Sequence, residues 1–171
     1  WIDMASNPGS EDANAPGAGV MVGSAVAMDG SPRPCGNVGA WKIHSSEPGP
    51  LWLAEMGAKV YTIERFRELY LKAQATLTAL GYSVDFFYGD GYCGKPQYGP
   101  FDGIIITAAI DDIPESLLKQ LRTGGRLVAP VGKNDGQVMT LVIRQDEDSF
   151  EYSTHGLFMF VPMLKGTVND K

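Results

Sequence analysis

Three consecutive isoleucines, Ile104-Ile105-Ile106, follow Phe101-Asp102-Gly103 and lead into Thr107-Ala108-Ala109. Successive side chains of a β-strand point to opposite faces of its sheet. A run that is apolar on both parities therefore suits a strand covered on both sides, as parallel strands of α/β proteins are.

The segments around it alternate in kind. Residues 59–64, Lys-Val-Tyr-Thr-Ile-Glu, read as a strand of β-branched and aromatic residues. Residues 65–80 follow with Phe66, Leu69, Leu77 and Leu80 at roughly helical spacing, and Gly81 ends them. Residues 82–88 form a second strand and 101–107 a third. Pro114 opens a helix in its first turn, where a missing N–H costs nothing, and Gly124-Gly125 ends it. Residues 126–131 make a fourth strand, and 137–144 and 150–161 read as further strands. Upstream, residues 51–56 read as the end of a helix, with Gly57 suited to its left-handed cap. Such alternation predicts a doubly wound α/β fold with a mostly parallel sheet. Sheets of this kind bind ligands beyond the carboxyl ends of their strands, here Glu64, Gly89-Asp90-Gly91 and Thr107-Ala108-Ala109.

Composition narrows the function. The chain has 171 residues, enough for one domain with a sizeable core. Its 14 basic and 20 acidic side chains give a net charge of -6, without the concentrated basic face that nucleic-acid binding needs. Cys35 and Cys93 are the only cysteines and form no CxxC pair, and the two histidines stand apart, so neither a disulfide framework nor a metal site is expected. No apolar run is long enough to cross a bilayer, and no signal peptide is evident. A monomer in the cytoplasm, with no membrane and no nucleic-acid partner, is the expectation. Trp1 stands first, so the true start is expected elsewhere.

Glu64 closes the first clear strand, where a carboxylate can accept hydrogen bonds from both ribose hydroxyls of a nucleoside. The competing reading is an exposed carboxylate paired with Arg65 or Arg67. Gly89 and Gly91 allow a ligand close to the backbone and Asp90 offers acceptors, although Asp-Gly is also a common turn pair. Asp102 sits at the amino edge of the sheet and reads as structural. Asp111 and Asp112 suit a helix N-terminus. Cys93 lacks a nearby histidine and reads as a free structural thiol, His155 as a surface or packing residue, and Lys133-Asn134-Asp135-Gly136 as a hairpin turn. No catalytic residue is assigned.

Leu53-Ala54-Glu55-Met56-Gly57-Ala58-Lys59-Val60, Thr62-Ile63-Glu64-Arg65 and Gly89-Asp90-Gly91 recur in order with Pro100-Phe101-Asp102, the run from Ile105 to Ala109, and Ile113-Pro114. Gly124-Gly125-Arg126-Leu127-Val128, Pro130-Val131-Gly132 and Phe160-Val161-Pro162-Met163 complete the series. In these motifs, over about residues 53–164, the chain resembles the protein-L-isoaspartate O-methyltransferase family. The resemblance implies a Rossmann-like methyltransferase fold, S-adenosylmethionine as cofactor, and isoaspartyl proteins and peptides as partners. Members methylate the free isoaspartyl carboxylate, and the ester cyclises to a succinimide that can reopen to aspartate. By resemblance Glu64 holds the ribose, and Gly89, Asp90 and Gly91 border the adenine.

Residues 1–50 do not match, and they read as an irregular segment ahead of the methyltransferase portion at 51–171. Where the family has a Gly-x-Gly-x-Gly turn, this chain has Ser46-Glu47-Pro48-Gly49-Pro50, and two prolines remove N–H donors there. The family's Thr-Ile-Ser-Gln-Pro type of substrate motif is also missing from residues 6–50. Codons for Gly-Thr-Gly-Ser-Gly, read from their second base, can spell Glu-Pro-Gly-Pro, so an out-of-frame translation accounts for this stretch; a divergent or truncated relative is the rival account. Within it only Ala18 to Ala27 suggests order, with Val20, Met21, Val22, Ala25 and Val26 as a short apolar stretch that reads as a strand or a buried fragment. Two other functions stay open: a non-catalytic interaction module on the same scaffold, and a methyltransferase with another acceptor.

Overall fold

In the computed structural model, residues 20–23, 53–54, 58–133 and 136–169 are described. Seven strands form one sheet: β1 (Val20–Gly23), β2 (Val60–Glu64), β3 (Val84–Tyr88), β4 (Phe101–Ile106), β5 (Leu121–Val131), β6 (Gln137–Arg144) and β7 (Phe150–Phe158). Helix α1 (Arg67–Ala79) links β2 to β3, and α2 (Glu115–Leu118) links β4 to β5. The spatial order is β3-β2-β1-β4-β5-β6-β7. The first five strands are mutually parallel, while β6 and β7 are added antiparallel. The expected doubly wound, mostly parallel sheet is therefore present.

Of the two readings left open for the apolar stretch around Val20, strand or buried fragment, the strand is the one present. The central strand comes from inside the unmatched segment. Val20 pairs with Val60 on one side and Gly103 on the other, and Gly23 with Ile63 and Ile106. A short apolar stretch suffices for the backbone ladder at this place, because both neighbours are already parallel and in register. Other expectations on residues 6–50, including the frame-shifted turn at 46–50, fall outside the described residues. Leu53 and Ala54 are helical, and the Leu53 carbonyl accepts from Ala58 N at 3.0 Å.

The isoleucine run splits between the two faces. Ile104 and Ile106 join Tyr61, Ile63, Phe101, Leu117, Leu121 and Leu127 in the main core, while Ile105 packs with Val60, Val84, Leu53, Ala54 and Ala58. Strand alternation assigns Ile104 and Ile106 to one face and Ile105 to the other, and Phe101 joins the first set across the register shift between Phe101 and Gly103. The helix α1 packs against β2 and β3 and buries Leu77. It ends as foreseen at Gly81, whose φ of 84° lets the chain leave through the left-handed region.

The second helix is shorter than its pattern suggested. Leu117, Leu118 and Leu121 have helical spacing, yet α2 stops at Leu118 and β5 starts at Leu121. Leu121 is drawn into the sheet opposite Phe101, after which the register jumps to Gly103↔Arg126. Gly124 and Gly125 serve that excursion rather than a helix end. A Cβ at Gly125 would lie 2.8 Å from the Arg122 carbonyl oxygen and 2.9 Å from that of Phe101. Both obstacles are backbone, so Gly125→Ala should cost about 1–3 kcal/mol of stability by overpacking, read as a lower urea midpoint with unchanged m-value.

Pro114 is the N-cap of α2, and no side chain caps that helix; Asp111 instead lies 4.0 Å from Lys133. The last strand ends at Phe158, because the following residues turn to pair elsewhere. Asp102 is structural as expected, bridging to Arg122. The turn between β5 and β6 is closed by Gly136 N donating to the Lys133 carbonyl at 3.2 Å.

Candidate nucleoside site at the carboxyl edge

The carboxyl ends of β2 and β3 lie side by side, with Glu64 opposite Tyr88. Gly89 N donates to the Glu64 carbonyl at 3.0 Å, so the turn after β3 begins directly beside the acidic residue. Glu64 is 5% exposed, which rules out the competing reading of an exposed strand-end carboxylate. Its Oε1 accepts from Phe66 N at 2.9 Å, which holds the carboxylate at the strand end. Arg65 turns away and donates instead to the carbonyls of Gly166 and Lys165 at 3.1 and 3.3 Å.

Asp90 begins a 3₁₀ turn over Gly91–Cys93 and caps it, its Oδ1 accepting from Tyr92 N at 2.9 Å. Its Oδ2 accepts from Gly166 N at 2.6 Å. Each carboxylate oxygen keeps a second lone pair for another donor. Beside Gly89 there is room, since a Cβ would meet nothing nearer than Ile63 Cγ2 at 3.7 Å. At Gly91 the space is filled: a Cβ would lie 2.5 Å from Met163 Cε, the free end of a flexible side chain.

Met163 belongs to a feature the sequence did not disclose. After β7 the chain crosses the carboxyl edge of the sheet as a strap. Ala109 N donates to the Val161 carbonyl at 2.8 Å, and Met163 N to the Ala109 carbonyl at 2.7 Å. Val168 then bridges to Phe66, and Tyr88 Oη donates to Asn169 Oδ1 at 2.7 Å. Under the strap lies a small apolar hollow lined by Ile63, Gly91, Leu117, Met163 and the run Ile104-Ile105-Ile106. Tyr92 Oη donates to the Met163 carbonyl at 3.2 Å. Burial raises the Tyr92 phenol above its ordinary value, and the charges of Asp111 and Asp90 add to that, so it remains a donor.

Gly166 has a φ of 73°. Proline cannot adopt it and offers no N–H to Asp90. Gly166→Pro should therefore free the strap, seen as faster amide exchange at Val168 and Arg67, whose N–H groups bond across it.

Of the remaining residues singled out in the sequence, Cys93 is a free, exposed thiol. His155 is exposed on β7, 3.2 Å from Ser153 Oγ. Neither approaches Glu64 or Asp90 through any hydrogen bond described. Thus Glu64, Gly89, Asp90 and Gly91 are brought together, whereas Cys93 and His155 do not add a reactive group.

A parallel sheet wound on both faces, an acidic residue closing β2 and a glycine-flanked turn after β3 define the class of doubly wound α/β proteins with a ligand cleft beyond the strand ends. The family model described as protein-L-isoaspartate(D-aspartate) O-methyltransferase matches residues 52–168, and the chain belongs to that family. The protein-L-isoaspartate O-methyltransferase of Christiangramia forsetii is 51% identical over 114 residues, covering 66% of this chain and 53% of that protein. The Methylorubrum populi protein of the same name is 45% identical, covering 67% and 54%. The chain thus spans about half the length of the curated relatives it matches. Among solved structures, a putative Plasmodium falciparum protein-L-isoaspartate O-methyltransferase in complex with S-adenosyl-L-homocysteine gives a TM-score of 0.64 at 18% identity. That likeness covers 88% of this chain and 67% of the other, and it concerns the fold.

Proposed function

We propose that the chain is the cofactor-binding portion of an S-adenosylmethionine-dependent methyltransferase acting on the free carboxylate of L-isoaspartyl residues in damaged proteins. The observation that carries this reading is the buried Glu64 carboxylate at the end of β2, beside the Gly89-Asp90-Gly91 turn and an apolar hollow. A carboxylate there can accept both hydroxyls of a ribose. Asp90 and the Gly91 backbone would border an adenine edge. These residues fit the nucleoside end of the cofactor.

When bound, S-adenosylmethionine supplies an activated methyl group on its sulfonium. The acceptor carboxylate is already a nucleophile at neutral pH, so no general base is needed, and the protein's task is alignment and exclusion of water. Glu64 fixes the nucleoside, while the strap from Val161 to Gly166 shields the edge from solvent. The same reading makes the protein a cytoplasmic monomer without nucleic-acid or membrane partners. No helix among the described residues is long and apolar enough to cross a membrane.

Calorimetry with S-adenosylhomocysteine tests the cofactor assignment, and absence of heat would remove it. Methyl transfer to an isoaspartyl peptide, compared with its aspartyl twin, tests the acceptor. Equal rates on both peptides would reassign it.

A further inference from the structure

Gln120 is buried, 6% exposed, and sits between α2 and β5. Its side-chain amide is committed to three backbone groups. The Oε1 atom accepts from Lys95 N at 2.8 Å. The Nε2 atom donates to the Cys93 carbonyl at 3.1 Å and to the Ser116 carbonyl at 2.7 Å. Two of these partners flank Gly94, in the loop that leads on from Asp90 and Gly91. Gly94 has a φ of 61°, and a Cβ there would stand 2.4 Å from Oε1 and 2.6 Å from Nε2 of Gln120. The loop is folded around the amide. A second tie comes from the same helix, where Ser116 Oγ donates to the Tyr92 carbonyl at 3.0 Å.

We propose that Gln120 is a positioning residue for the nucleoside site, acting through the 90–98 loop without touching the cofactor. This rests on the cofactor reading above. The chemistry demands a primary amide. Lys95 N requires an acceptor, while the Cys93 and Ser116 carbonyls require donors, and the two needs are met from opposite sides of one planar group. Glutamate would set an anion against two carbonyl oxygens, and methionine would leave all three groups unpaired in a buried place. With the tie broken, Gly91 loses its fixed position relative to Leu117 on α2, and the hollow between them loses its shape.

The test compares wild type, Gln120→Glu and Gln120→Met with a core variant that takes no part in these hydrogen bonds, Val142→Ala in β6. All are titrated with S-adenosylhomocysteine by calorimetry well below their unfolding transitions, and amide exchange is followed over residues 91–98. The expected result is a dissociation constant raised about tenfold or more in both Gln120 variants, the size set by unpaired buried carbonyls. Exchange in the loop should accelerate in them as well. Val142→Ala should lower the melting temperature yet leave the dissociation constant within about twofold. Wild-type affinity in both Gln120 variants overturns the proposal while leaving the cofactor reading intact. A dissociation constant raised equally in Val142→Ala also overturns it, since the effect would then be general destabilisation. No heat from wild type itself would instead remove the cofactor reading, and this proposal with it.

Discussion

Replacing Glu64 by alanine is expected to weaken S-adenosylhomocysteine binding by more than about a hundredfold. Two hydroxyl donors to one carboxylate are at stake, and hydrogen bonds to a charged group contribute about 1.5–3 kcal/mol each. Burial strengthens the expectation, because at 5% exposure water cannot readily replace the lost partner. A complication is the bond from Phe66 N to Oε1, which alanine also removes. Glu64→Gln separates the two contributions. Its amide oxygen can keep the Phe66 contact, whereas its NH₂ group cannot accept from a ribose hydroxyl, which must turn to accept from it and loses a charged acceptor. Glutamine should therefore keep the wild-type melting temperature and still lose about tenfold in affinity. Equal affinity in Glu64→Gln and wild type, measured by calorimetry, would show that the nucleoside lies elsewhere.

The features that bear on this site were unevenly legible. Glu64 and the Gly89-Asp90-Gly91 turn could be placed because strand ends are marked in sequence by a change from β-branched residues to glycine and charge. The isoleucine run showed both core faces because successive strand side chains point to opposite sides. The strap could not be found, since its hold on the sheet edge comes from backbone groups of Val161, Met163, Gly166 and Val168, and such bonds leave no mark on side-chain pattern. Gln120 was missed likewise, as one polar residue between leucines has no period. The early end of the helix expected up to Gly124-Gly125 was not legible because a glycine pair marks a break in the chain without saying of what kind, while pairing of Leu121 with Phe101 decided the outcome. For β1, three apolar residues and a glycine left the choice between strand and buried fragment open. Only the vacancy between two parallel neighbours makes such a stretch a central strand. That strand also changes the view of residues 1–50, whose part in the sheet could not be expected from motifs absent there.

Phe101→Ala is expected to give the largest loss of stability of any variant considered. Phe101 is fully buried and opens β4, where its amide donates to the Gln120 carbonyl at 2.7 Å. Its ring meets Tyr61 edge-on, with centroids 5.6 Å apart and planes at 68°. Tyr61 in turn stands 5.3 Å from Tyr98 and 6.4 Å from Phe87, centroid to centroid. Truncation would therefore open a cavity under the 90–98 loop and loosen several rings at once. Phe→Ala changes of this kind cost about 3–5 kcal/mol, against a total of about 5–15 kcal/mol for a typical domain. Part of the population should unfold at physiological temperature, seen as a fall in the urea midpoint and in the melting temperature. Phe101→Leu refills most of the volume and forfeits only the edge-on contact, so about 1–1.5 kcal/mol should be lost there. If alanine and leucine destabilised equally, the ring contact with Tyr61, rather than cavity volume, would be what Phe101 contributes. The cavity account requires the two to differ, because Tyr61 and Leu121 are held by their strands and cannot close the gap.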